Sequence, residues 1–190
     1  MFIDKSFEIS GNSHRYWHKG GWAETERAVE VPLALEFLAN AKSVLEVGNV
    51  TRQHDRTLEH MVIDLDEQHP DWENYENADV LTYTPTKKFS SVLSISTVEH
   101  TMDIRGAIKN IQSWAKNTLV TFPLGYNSPG GTRTGDLLND DWKDITVMRR
   151  DGDPFEWFEI SVAEAIEQGH EGLRCARAFK GATAIAIVRT

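Results

Sequence analysis

Glu46, Gly48, Asp64, Asp79, Glu99, His100, Tyr126 and Asn127 lie within or shortly after short apolar runs. A carboxylate at the end of a buried strand can accept hydrogen bonds from both hydroxyls of a ribose. Asp64, after His60-Met61-Val62-Ile63, therefore points to an adenosine-type ligand. The glycine that follows Val44-Leu45-Glu46-Val47 lets backbone approach a ligand where a Cβ would collide. His100, with an intrinsic pKa near ~6.5, suits general-base work at neutral pH; a packing or helix-start histidine would look the same in sequence. Tyr126 and Asn127, after Pro123, could line an acceptor pocket and are also common loop residues.

Alternating segments must position these groups. Ser43 to Gly48, His60 to Asp64, the weaker Ala78 to Leu81, Ser90 to Ser96 and Thr118 to Phe122 read as five short strands, the last stopped by Pro123. Ile104, Ala107, Ile108, Ile111, Trp114 and Ala115 recur at helical spacing, with Asp103 placed to cap the first turn. Glu24 to Asn40 reads as a helix kinked or restarted at Pro32. Past Gly130-Gly131, Ile145 to Arg150 and Phe155 to Ile160 look like strands around an Asp151-Gly152-Asp153-Pro154 turn. Ser161-Val162-Ala163-Glu164 is a capping box for a helix that Gly169 can close, and Ala182 to Val188 is the closing strand. Such alternation predicts an α/β layer architecture with a mainly parallel sheet, whose ligand crevice lies beyond the carboxyl ends of the strands.

Composition narrows the function classes. The 190 residues allow one fair-sized core, and their 40% apolar content argues against disorder. The start lacks the basic-then-apolar pattern of a signal peptide, and no segment approaches the ~20 apolar residues that span a bilayer, so a cytoplasmic protein without a membrane partner is expected. Cys175, alone, can form neither an internal disulfide nor a cysteine zinc knuckle. The net charge is −9, and seven acidic residues with no Lys or Arg fall between Asp64 and Asp79. That stretch would repel a phosphate backbone, which disfavours nucleic acid. No phosphate-binding loop, nucleophile elbow or Gly-x-Gly-x-x-Gly motif occurs. His14 and His18 have the i, i+4 spacing of a helical metal pair, yet no third ligand is evident and no metal site is expected. The aromatic segment His14 to Trp22 reads either as a lid over the crevice or as packing across the sheet edge.

In the order of its strand ends the chain resembles the class I S-adenosylmethionine-dependent methyltransferases. The resemblance covers about residues 43 to 127 and rests mainly on Val44-Leu45-Glu46-Val47-Gly48 and Leu93-Ser94-Ile95-Ser96-Thr97-Val98-Glu99-His100. It implies a three-layer αβα Rossmann-like fold, with a mainly parallel seven-stranded sheet and an antiparallel final strand. It further implies a single domain over 1–190, with an N-terminal lid or helical segment (1–42), a cofactor-binding core (43–127) and a C-terminal part of the sheet (128–190). S-adenosylmethionine is the cofactor so implied. Gly48, Asn49 and Ser96 would lie at it, with Glu46 near its amino group, Asp64 at the ribose and Asp79 at the adenine amino group. Glu46 could equally cap a neighbouring helix, and Asp79 could be solvated surface. His100 and Glu99 take the catalytic positions, and Tyr126, Asn127 and Trp22 the acceptor side. The acceptor expected is a small molecule, possible classes being a sugar or another hydroxylated metabolite.

Two departures qualify this. The glycine-rich loop is reduced to Gly48-Asn49-Val50-Thr51, and only eleven residues, Asn49 to Glu59, connect the first two strands, so any helix there must be stunted. A methyltransferase-like binding module without turnover is the alternative.

Overall fold

The computed structural model describes residues 1–18, 24–65, 72–174 and 181–190. Its elements in chain order are β1 (Phe2–Ile9), β2 (Asn12–Trp17), α1 (Arg27–Ala39), β3 (Val44–Val47), α2 (Thr51–His54), β4 (Met61–Asp64), β5 (Tyr75–Asn77), β6 (Ser91–Ile95), α3 (Ile104–Trp114), β7 (Asn117–Pro123), β8 (Ile145–Arg150), β9 (Trp157–Ile160), α4 (Val162–Gly172) and β10 (Ala184–Arg189). An eight-stranded sheet has the order β5-β4-β3-β6-β7-β10-β8-β9. The strands from β5 to β7 are parallel; β10 runs antiparallel to both β7 and β8, and β9 antiparallel to β8. This is the Rossmann-like α/β arrangement, a mainly parallel sheet with an antiparallel final strand, that the sequence leads one to expect, with eight strands in place of seven because β9 adds an outer edge.

Alternation along the strands builds two apolar layers. Leu45, Val47, Val92, Val120 and Phe122 face α3 and α4, whereas Val44, Leu93, Ile95, Leu119 and Ile187 face α1 and the β1–β2 hairpin. Helix α3 forms where its spacing predicts, with Ile104, Ala107, Ile108 and Ile111 buried and the Asp103 carboxylate accepting from Gly106 N. Ser161 Oγ likewise accepts Glu164 N at the start of α4, which kinks at Gly169 (φ 64°). Helix α2, four residues long, is the stunted crossover helix.

Three local expectations change. Helix α1 runs through Pro32 instead of restarting there: losing one amide bond is tolerated in a helix that buries Ala28, Val29, Val31, Leu33 and Ala34. The third parallel strand is Tyr75–Asn77, just before the expected run. Ala78 to Leu81 enters a turn in which Asp79 O accepts Thr82 N and Tyr83 N while Asp79 Oδ1 accepts Leu81 N. Residues 2–17 form a hairpin turning at Ser10 and Gly11, both at positive φ (50° and 77°). Its Tyr16 hydroxyl accepts Trp157 N at 2.8 Å, which fixes the hairpin against β9. His14 thus lies on a strand and His18 just past its end, so the pair does not share the helical turn that i, i+4 ligation needs. Its Nδ1 meets Glu36 Oε2 at 2.9 Å instead.

Candidate functional site

The carboxyl ends of β3, β4 and β6, with the turn after β5, surround a cavity of about 430 Å³. Because the strands lie in the order β5-β4-β3-β6, their terminal groups fall in a row: Asp79, Asp64, Gly48, then Thr97 and His100. Strands spaced ~4.8 Å apart make this row about 14 Å long. Asn49 also lines it, and Arg27, carried in by α1, joins the β6 end.

Gly48 is held at φ +85°, with its amide donating to Ile63 O. A Cβ there would stand 2.0 Å from Thr97 Oγ1 and 2.7 Å from Thr97 Cβ. Glycine is therefore demanded by the junction of β3 with the turn after β6, whatever ligand comes near. Asp64 Oδ2 accepts Asn49 N at 3.0 Å, so the carboxylate at the end of β4 also anchors the shortened loop.

Glu46 and Ser96 do not reach the cavity. The Glu46 carboxylate is fully buried under the loop, with Oε1 accepting Val50 N and Thr51 N and Oε2 accepting Thr51 Oγ1 at 2.6 Å and meeting His60 Nε2 at 2.7 Å. It occupies the helix-capping position that the sequence left open beside the cofactor position. Ser96, at φ 38°, sends its hydroxyl to Glu30 Oε1 behind the sheet end, where Thr121 Oγ1 also donates. Such a φ on a residue other than glycine is strained and is held by these bonds. Trp22 lies outside the described residues.

At the β6 end of the row, His100 Nδ1 is 3.2 Å from the hydroxyl of Tyr126, which itself does not line the cavity, and the rings meet edge to face. Asn127 pairs with Arg133 in the neighbouring loop and does not line the cavity. Glu99 is buried; its Oε1 is 3.7 Å from His100 Nε2, and its Oε2 has no hydrogen-bond partner among the described residues.

Burial above all holds the Glu99 carboxyl well above its ordinary value of 4.5, with Glu30 adding to it, against the opposing pull of the residue's own backbone amide and of Arg27. A carboxyl whose pKa rises on folding contributes stability below its unfolded value and loses it as pH climbs toward the folded value. Glu99→Gln is thus expected to leave stability nearly unchanged below pH 4.5 and to exceed the wild type by a margin that widens as pH rises. Urea unfolding at several pH values checks this; a margin independent of pH would show that Glu99 ionises freely in the fold.

Arg27 is the group that sequence reasoning missed. It bonds Glu30 Oε2 at 2.8 Å and Ile95 O at 3.4 Å through Nη1. Nothing near it in sequence marks it, because only the packing of α1 on β6 brings it beneath a strand end some seventy residues away.

No family model matches the chain, and no curated protein matches it. Among solved structures it is similar to an S-adenosylmethionine-dependent methyltransferase from Clostridium acetobutylicum ATCC 824, at 12% identity and TM-score 0.44 over 85% of this chain and 90% of that one. It is also similar to the N-methyltransferase NodS from Bradyrhizobium japonicum WM9 in complex with S-adenosyl-L-homocysteine, at 18% identity and TM-score 0.36 over 47% of this chain. The matched part spans 57% of NodS. A third is the 16S rRNA methylase RmtB, at 16% identity and TM-score 0.42 over 70% of this chain and 61% of that one. Among the described residues no helix is long and apolar enough to cross a membrane.

Proposed function

We propose that this protein is an S-adenosylmethionine-dependent methyltransferase acting on a small acceptor such as a sugar or another hydroxylated metabolite. The observation that carries the reading is the row of Asp79, Asp64, Gly48 and His100 along one cavity at the carboxyl ends of adjacent parallel strands. The polar lining fits the cofactor: two carboxylates at one end can accept from ribose hydroxyls and an adenine amino group, and the cationic Arg27 stands at the other. When bound, S-adenosylmethionine supplies a methyl group activated by its sulfonium. The chain's own residues then have the tasks of aligning the acceptor and taking its proton. His100 is the base in this reading, with the Tyr126 hydroxyl at Nδ1 orienting its ring.

A second reading has a specific observation in its favour. The loop amides that could meet a ligand are bonded within the chain, so a module that binds without turning over is the alternative. Transfer of label from methyl-labelled S-adenosylmethionine to a panel of hydroxylated metabolites and amines separates the two. Turnover is expected, with His100→Ala lowering kcat about 100-fold while leaving S-adenosylhomocysteine affinity within twofold. Binding without transfer to any acceptor would favour the module.

A further inference from the structure

His170 is a buried titratable group that the proposed chemistry leaves unused. It sits in the last turn of α4, past the kink at Gly169, and neither ring nitrogen has a hydrogen-bond partner among the described residues. The ring rests on the 3-10 helix Thr134–Asn139 at Gly135, where a Cβ would stand 3.2 Å from His170 Cα and 3.5 Å from its Nδ1. The charged groups that face His170 pair off with opposite signs. Arg133 is 3.9 Å from Asp136 at the 3-10 helix, and Arg174 is 3.6 Å from Glu171 on the segment of His170 itself. Strand β8, also packed on α4, brings Arg149, which is bonded to Gln168 and Asp151. An imidazolium would bury a charge and two N–H donors here with no acceptor and no net counter-charge, so the neutral ring is favoured. Burial first, then Arg133, holds the His170 pKa below its ordinary 6.5, against the pull of Glu171 and Asp136.

The same helix end braces the loop beside the candidate base. Thr134, fully buried, grips the backbone of Tyr126: its Oγ1 accepts Tyr126 N at 2.9 Å, and its amide donates to Tyr126 O at 2.9 Å. Gly125, next in chain at φ 77°, lies against the backbone of Arg174, where a Cβ would stand 2.5 Å from Arg174 Cα. The stretch from His170 to Arg174 therefore touches this loop at two points, and the loop delivers the Tyr126 hydroxyl to His100 Nδ1.

We propose that His170 is a positioning residue for His100: while neutral it seats the end of α4 on Gly135 and Gly125, which keeps Tyr126 on His100, and its protonation unseats that turn and releases Tyr126. The role of His100 as base rests on the methyltransferase reading; the acid-sensitive contact between the two histidines adds a control to it. The direction follows from linkage. A histidine whose pKa falls on folding stabilises the seated form at neutral pH, and that contribution is lost as pH drops through the unfolded value of about 6.5.

Hydrogen exchange and histidine NMR titration of the wild type, His170→Phe and His170→Leu test it. Between about pH 7.5 and about pH 5.5, exchange at Tyr126 and across Thr134–Asn139, normalised to amides of β6 and β7, should rise by up to about tenfold in the wild type, the linkage limit one unit below 6.5. Neither variant should show the rise. The His100 resonances should report two steps in the wild type, their own and that of His170, and one step in the variants. A rise that persists in both variants, or none in the wild type, would overturn the proposal. The wild-type titration decides the matter even where the variants fail to fold: a His170 midpoint at or above 6.5 would show that the fold does not hold the ring neutral. Neither readout needs cofactor or acceptor, so failure to bind S-adenosylhomocysteine would strike the methyltransferase reading alone.

Discussion

Alanine at position 48 is expected to destabilise the protein by about 2 to 5 kcal/mol and to close the cavity to ligand. Two costs add. The backbone sits at φ +85°, where an L side chain is strained by about 1 to 2 kcal/mol. The new Cβ also meets the side chain of Thr97, and rotating that side chain does not help, because Thr97 Cβ itself lies 2.7 Å away. The β3 end or the turn after β6 must therefore move, and both border the cavity. Thr97→Ala in the Gly48→Ala background should recover some of the steric part and none of the φ strain. Urea unfolding of the two single variants and the double variant gives the coupling. A loss below about 1 kcal/mol for Gly48→Ala would mean that the two strand ends are not in close contact.

The second large effect belongs to Glu46. Removing its carboxylate by Glu46→Ala leaves the buried Thr51 amide without its acceptor and takes one partner each from Val50 N, the Thr51 hydroxyl and the His60 ring, and is expected to cost about 3 to 5 kcal/mol, as breaking a buried charged network does. Glu46→Gln keeps one carbonyl oxygen for the amides of Val50 and Thr51 and should cost less than half as much. The functional contrast is sharper than the stability one. If Glu46 acts by holding the loop, Glu46→Gln retains S-adenosylhomocysteine affinity within a few-fold. A carboxylate that met the cofactor's amino group directly would lose a charged partner and cost affinity by tenfold or more. Denaturation and calorimetry on the same two variants distinguish these outcomes.

These two residues show how far the sequence could be read. The run Val44 to Gly48 is legible as a strand and its glycine turn because short β-branched runs ending in glycine have few other uses in an α/β chain. Asp64 is placed at a strand end by the same logic, whereas Asp79, expected at a strand over Ala78 to Leu81, reaches the cavity from the turn after β5; the stunted α2 follows from counting the crossover. Neighbours decide the rest. Glu46 is one carboxylate with two chemically sensible positions, and only the path of the loop over it shows that its oxygens face Val50, Thr51 and His60. Ser96 sits beside residues that line the cavity yet points the other way, because a positive φ reverses the chain at the end of β6.

Local signals were also available and outweighed. The hairpin of β1 and β2 carries Phe7, Ile9 and Tyr16 on its buried face and Ser10-Gly11 at its turn, a period-two pattern beside a turn dipeptide. Its polar and charged residues mask that alternation. Strand β5 is nearly invisible in sequence because Tyr75-Glu76-Asn77 is a polar edge pairing with β4 alone. Arg27 lies beyond any local signal, since its place depends on a helix packing under the far end of a strand.

Asp64 and Asp79, at one end of the cavity, hold the adenosyl part of the ligand in the proposed function. Calorimetric titration of the wild type and Asp64→Ala with S-adenosylhomocysteine tests this. Saturable binding at one site is expected in the wild type, with at least about a tenfold loss in Asp64→Ala from the missing charged hydrogen bonds to the ribose. No binding by the wild type, or equal binding by the two proteins, would contradict it.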